Sequence, residues 1–142
     1  MSLNYLLDTC VISEFMKPKP EKKVQDWLNA LDIGRAYLSV VTLGEIQRGI
    51  SEKPASNRRT ELEEWLNEAL VAQFEGRILS LDRETFITWG QMVAPLKSKG
   101  KPMSVMDSLI AATAVQHKMV LVTRNTTDFE NIDLSIFNPW EG

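Results

Sequence analysis

Apolar residues recur along the chain in two alternating rhythms. Leu3 to Leu7 is a short, mostly apolar run rather than a strict alternation, the pattern of a strand covered on both faces in a parallel sheet. After the polar break Lys17-Pro18-Lys19-Pro20, Val24, Trp27, Leu28 and Leu31 fall at i, i+3, i+4 and i+7, predicting a helix over 21–31. Ala36 to Val40 reads as a second strand and Thr42 to Ser51 as a helix. A loop at Pro54-Ala55-Ser56-Asn57 follows. Leu62, Trp65, Leu66, Ala69 and Leu70 mark a long amphipathic helix over 58–74. Ile78 to Leu81 is a third strand, Asp82 or Arg83 to about Lys97 a helix, and Lys97 to Pro102 a loop. Val105 to His117 is a helix whose Ala111, Ala112 and Ala114 suit close packing on a sheet. Met119 to Val122 is a fourth strand, with Leu134 to Phe137 as a fifth candidate. The alternation predicts an α/β fold, a three-layer α/β/α sandwich around a central, mainly parallel sheet of four to five strands.

The 142 residues suit one domain, 1–142, with no repeat or low-complexity tract. Met1-Ser2-Leu3 and Glu141-Gly142 are compatible with residues left by cloning and carry no weight. Cys10 stands alone, so no intrachain disulfide can form, and a reducing cytoplasm is the expected compartment. No apolar stretch approaches membrane-spanning length, and the N-terminus lacks signal-peptide order, so no membrane partner is expected. A net charge of −3 argues against a passive nucleic-acid coat, which would be basic. It argues less against an enzyme that gathers carboxylates at one site.

Three acids sit at element boundaries. Asp8 ends the first strand, Glu45 is read on the first turn of the helix after the second, and Asp107 on the first turn of the helix before the fourth. Each has a plain alternative. Thr42-x-x-Glu45 and Ser104-x-x-Asp107 fit capping boxes, and Asp8 suits the cap of a short helix starting near Val11. A parallel sheet, however, brings Asp8 and Glu45 toward one edge, where the N-terminus of the helix carrying Asp107 can meet them. Three such acids need a cation to stay ionised together, and all-oxygen ligation selects Mg2+ or Mn2+ over zinc. The fourth strand delivers Thr123, Arg124 and Asn125 to the same edge, with Asp128 just beyond; they form either an ordinary turn or a set that orients water. His117 suits a helix end, Trp27, Trp65 and Trp89 suit the core, and Cys10 is read as a small buried hydrophobe. Motifs for nucleotide loops and for a serine-hydrolase triad are absent.

The stretches "YLLDTCVISEF", "LSVVTLGEIQRGI", "MSVMDSLIAATAVQHKMVLVTRNTTDFENI" and "FNPW", in this order, resemble the PIN-domain family, and within it the VapC/FitB-type toxins of bacterial toxin–antitoxin pairs. The resemblance implies a Mg2+- or Mn2+-dependent endoribonuclease, a homodimer, and a small antitoxin that occupies the active-site groove. Asp8, Glu45 and Asp107 match the family's near-constant acids and Thr123 its hydroxyl. Asn125 stands where the family often has a fourth acid, and Asp128 is the candidate to replace it. In the mechanism this implies, Asp8 and Asp107 ligate the metal and Glu45 holds a water or acts as base. Thr123 and Asn125 position the nucleophile, and RNA is cut to 5′-phosphate and 3′-hydroxyl ends. Candidate backbone-gripping cations are Lys17, Lys19, Lys22 and Lys23, then Lys97, Lys99 and Lys101, and Arg48 and Arg124. The alternatives are a related nuclease acting on DNA or structured nucleic acid, and a non-catalytic protein-interaction module.

Overall fold

A computed structural model describes residues 3–142; Met1 and Ser2, two of the residues set aside at the N-terminus, lie outside the described residues. Its centre is a sheet of five strands, all parallel, in the order β3-β2-β1-β4-β5: β1 (Tyr5–Leu7), β2 (Ala36–Ser39), β3 (Ile78–Leu79), β4 (Val120–Val122) and β5 (Ile136–Phe137). The two outer strands, β3 and β5, are only two residues long. Period-2 geometry splits neighbouring side chains between the faces. Leu7 and Val122 join one buried cluster with Val11, Val24, Ile46, Ile50 and Phe74, whereas Leu6 and Leu121 join a second with Ile110, Ala111, Ala114 and Phe129. Each face therefore needs its own helical cover, which produces three layers.

The first layer is made by α1 (Thr9–Glu14), α2 (Lys22–Ala30), α3 (Val40–Ser51), α4 (Asn57–Glu64) and α5 (Val71–Gln73). The second is made by α6 (Arg83–Ser98) and α7 (Val105–His117). Between α4 and α5 the chain is π-helical over Trp65–Leu70, where the sequence predicts uninterrupted α-helix. The reason lies in the spacing of the buried residues. Leu62, Leu66, Leu70 and Phe74 recur every four positions. At 3.6 residues per turn each step would overshoot the core by about 40°. Local widening of the helix keeps all four facing inward.

The helix α7 has both predicted ends. Ser104 caps it, and its last turn closes on Lys118 in the left-handed region (φ 56°), a position usually given to glycine. Its alanines are fully buried, consistent with close approach to the sheet. Strands are shorter than the apolar runs suggest: β1, β4 and β5 begin one or two residues into their runs, whereas the runs of β2 and β3 continue past the strand end. β2 shows this best. Ser39 accepts from the Val41 amide (3.0 Å) and starts α3 at Val40, two residues earlier than the pattern implies. No helix among the described residues is long and apolar enough to cross a membrane.

Strand order reverses at β1: the chain first builds outward through β2 and β3, then returns to β1's other side with β4 and β5. In open α/β sheets the crevice for ligands forms at this point, beyond the carboxyl ends of the strands. Asp8 and Thr123 are the residues that leave β1 and β4 there.

Candidate active site

Asp8 is 4% exposed and divides its two carboxylate oxygens between neighbours. Oδ1 accepts from the Thr9 amide (2.8 Å), which caps α1, and Oδ2 accepts from the Thr123 hydroxyl (2.7 Å). The Thr123 oxygen in turn accepts from the Asn125 amide (3.1 Å). Capping and site chemistry are thus not rivals at Asp8, because one oxygen serves each. Burial pushes the Asp8 carboxyl above its ordinary value, and repulsion from Asp107 and Glu45 adds to the rise; the Thr123 and Thr9 bonds oppose it.

Glu45 is not the capping acid that the sequence pattern allows. Since α3 begins at Val40, Glu45 falls on its sixth residue, beyond reach of a first-turn cap. Its Oε1 accepts from the Thr9 hydroxyl (2.6 Å), which also lies 3.1 Å from the buried Thr42 hydroxyl. The adjacent pair Asp8–Thr9 therefore ties α1 to β4 on one side and to α3 on the other.

Asp107 sits in the first turn of α7. Ser104 Oγ accepts from the Asp107 amide (3.2 Å), but no return bond runs from the carboxylate to the Ser104 amide, so the capping box is half formed. The carboxylate faces a polar pocket of about 340 Å³ shared with Lys101, Ser104, Thr127, Asp128 and Asn131. On the other side of the same helical turn, Met106 lines an apolar groove of about 590 Å³ that also holds Val40, Gly44, Glu45 and Leu109.

The structure brings Asp8, Glu45 and Asp107 to one edge, close enough for the latter two to repel charge on Asp8. Asp128 stands on a 3-10 turn (Thr126–Phe129), exposed, beside Asp107 rather than beside Asp8. Asn125 is likewise exposed, and what it contributes is its backbone amide. The Thr123 hydroxyl is spent on Asp8 and does not project into open space, which alters the water-positioning role expected from sequence.

Two residues next to these were not assigned to the site by pattern. Thr9 has no signature in the pattern, since a threonine after an acid gives no periodic signal. Cys10, read as a buried hydrophobe, is half-buried, and its thiol points at Asp8 Oδ2 (3.7 Å) beside Thr123 (3.5 Å). Burial, followed by the charge of Asp8, pushes that thiol up.

Whether the residues suit a metal is answered by donor type, charge and spacing. All three acids offer hard oxygen donors, and none forms an ion pair with a lysine or arginine among the described residues. An anionic edge with no basic counter-ion, one member of it buried, fits a hard divalent cation. The spacing is more open: among the described residues, no three acidic, cysteine or histidine side chains close to the arrangement of a formed metal site. Asp8 and Glu45 are each drawn onto a threonine hydroxyl instead.

Residues 5–134 match the family described as "PIN domain". VapC ribonuclease Y4jK of Sinorhizobium fredii is 38% identical over 136 residues, 96% of this chain and 97% of that protein. Toxin FitB of Neisseria gonorrhoeae is 37% identical over 135 residues, 95% and 97% of the two chains. Among solved structures, that of FitAB bound to the IR36 DNA fragment superposes with a TM-score of 0.90 at 37% identity, covering 96% of this chain and 95% of that one.

Proposed function

The chain belongs to the PIN-domain family, and we propose that it is the ribonuclease toxin of a toxin–antitoxin pair, hydrolysing RNA phosphodiester bonds at the edge where Asp8, Glu45 and Asp107 meet. Near-full-length likeness to a VapC ribonuclease and to toxin FitB supports the activity and the partner class. The observation that carries the assignment to this edge is Asp8. It is a buried carboxylate at the carboxyl end of the central strand, loaded by two further acids and unmatched by any base among the described residues.

Asp8 and Asp107 would hold Mg2+ or Mn2+. When bound, such an ion supplies a water of lowered pKa and offsets the negative charge of phosphate against the acids. Thr123 keeps Asp8 Oδ2 in one orientation, and Thr9 does the same for Glu45. Held in this way, Glu45 can take the proton of the attacking water. As that water's oxygen bonds to phosphorus, the bond to the 3′ oxygen breaks and that oxygen gains a proton from solvent. The products carry 5′-phosphate and 3′-hydroxyl ends. Asp107, open to the polar pocket, leaves room for the phosphate to approach.

The antitoxin needs a seat near these acids. The apolar groove lined by Val40, Met106 and Leu109, with Glu45 in its wall, offers one. Exposed Val105 and Met106 next to it suit cover by a protein partner or by a second copy in a homodimer. Brief expression followed by sequencing of RNA 5′ ends, beside an Asp8→Asn control, tests the activity. New 5′ ends that disappear in the control are expected. Equal toxicity and equal cleavage in the control would overturn the assignment, as would tight Mn2+ binding that survives Asp8→Asn.

A further inference from the structure

Only two carboxylates among the described residues are buried, Asp8 and Glu14, and the chemistry above uses one of them. Glu14 ends α1, the helix that Asp8 begins, about 9 Å further along by helical rise. Both of its oxygens are occupied. Oε1 pairs with the Lys17 ammonium (2.9 Å) and Oε2 accepts from the Glu21 amide (2.9 Å), folding the segment between α1 and α2 back onto the helix. Burial raises this carboxyl, but the Lys17 and Glu21 bonds and the charges of Lys17 and Arg124 outweigh it and leave it below its ordinary value. The charge of Arg124 is thus felt at Glu14, although the two side chains form no ion pair.

Arg124 is the residue after Thr123, at the exit of β4. Its amide donates to Cys10 Sγ (3.4 Å), and its guanidinium lies over the Trp140 ring, 5.4 Å from the centroid. Arg35, Arg48, Arg58 and Arg59 each have an acidic partner and Arg77 donates to backbone carbonyls, whereas the guanidinium groups of Arg83 and Arg124 have no acidic partner within pairing distance among the described residues. A guanidinium stacked on an indole keeps its N–H edges free for a phosphate. The Lys17 side chain is 54% exposed and uses one donor on Glu14, leaving others for a second anion.

We infer that Lys17, positioned by Glu14, and Arg124, seated on Trp140, form a two-pronged phosphate clamp that grips the RNA backbone a nucleotide or two away from the bond that is cut. The inference rests on the ribonuclease reading for its substrate. It also accounts for how an acidic chain retains a polyanion: the cations are few, but one is held beside the site by a buried anion and the other by an indole.

Equilibrium binding of a fluorescent single-stranded RNA oligonucleotide in EDTA, read by anisotropy at several salt concentrations, tests the clamp without cleavage. Each lost phosphate contact should lower the slope of log K against log salt by about 0.7. Going from about 50 to about 200 mM salt should then weaken Lys17→Ala or Arg124→Ala about 2.6-fold less than the parent chain. Lys17→Arg should restore the parent slope. Glu14→Gln gives the sharper outcome. Deleting a negative charge near a polyanion tightens binding if Glu14 is a bystander; a positioning role predicts weaker binding and a higher KM with Mn2+, kcat staying within about twofold. If Glu14→Gln melts, the two surface variants still decide.

Unchanged slopes in both alanine variants, tighter binding by folded Glu14→Gln, or no RNA binding by the parent at low salt would each overturn the clamp. Loss of antitoxin capture with RNA binding intact would assign the surface to the protein partner, against the inference. Salt slopes as expected but no cleavage with Mn2+ would keep the clamp and sink the ribonuclease reading. Cleavage with unaltered slopes would do the reverse.

Discussion

Asp8→Asn separates the cost of the site from its use. In the parent the carboxyl is buried, flanked by Glu45 and Asp107, and held above its ordinary value, so its ionised form weighs against folding. Each pH unit of such elevation corresponds to about 1.4 kcal/mol once the group is ionised. Asparagine keeps an oxygen for the Thr9 amide and removes the charge. It also puts an amide nitrogen, which cannot accept, opposite the Thr123 hydroxyl, and so sacrifices that hydroxyl's bond to Oδ2, worth about 1 kcal/mol. The variant should therefore be the more stable protein in EDTA near pH 8, by roughly 2–4 °C in Tm for each kcal/mol gained. The sign follows from linkage. Below the unfolded pKa near 4 both side chains are neutral, and the electrostatic advantage of the variant vanishes. As pH rises through the elevated pKa of the folded state, the parent loses stability and the gap opens. Excess Mn2+ should reverse the order, since ligand at about 100 times its Kd adds about 2.7 kcal/mol to a chain that binds it. Urea melts of both proteins at pH 4 to 8, with EDTA or Mn2+, provide the measurement. A variant less stable than the parent at pH 8 in EDTA, or stabilised equally by Mn2+, would refute the reasoning.

Thr123→Val removes a donor from buried Asp8 Oδ2, which should cost about 1–3 kcal/mol in urea melts. It should also push the Asp8 carboxyl higher still, moving the acid limb of the cleavage–pH profile upward, and Thr123→Ser should restore both. Thr9→Val frees Glu45 from its 2.6 Å bond and takes a partner from the buried Thr42 hydroxyl; RNA cleavage should fall by up to about 100-fold, with a loss of about 1 kcal/mol in urea melts. An unaltered rate would remove Glu45 orientation from the mechanism. Lys118→Gly relieves a left-handed backbone and should stabilise the fold by about 1 kcal/mol, read as a higher urea midpoint with unchanged slope.

The sheet and most helices could be read from sequence because their burial is periodic. Leu6 and Leu7 announce a strand buried on both faces, and α7 is bounded by a cap at Ser104 that pattern alone identifies. Failures fell where a single side chain overrides propensity. Ser39 stands between Tyr37-Leu38 and the β-branched Val40-Val41, a stretch that reads as strand, yet its hydroxyl starts a helix there and carries Glu45 from a capping position to one facing Thr9. The apolar residues at every fourth position from Leu62 to Phe74 suggest ordinary helix, because counting them does not show that the drift must be absorbed by a π-helical turn. Three site acids could be proposed from their places at strand and helix ends. Glu14 could not. Nothing in "ISEFMKPKP" says that this acid is buried, since its enclosure depends on Lys17 and Glu21 folding back over it.

The two-residue strands at either margin of the sheet limit how another molecule can join it. A free margin invites strand addition in proportion to the amides and carbonyls it leaves unpaired, and β3 and β5 leave very few. A polypeptide approaching from the side finds no template to zip onto. Stable association has to proceed through side chains on the helical faces, so recognition by shape and charge is favoured, and sheet-to-sheet aggregation is discouraged by the same brevity.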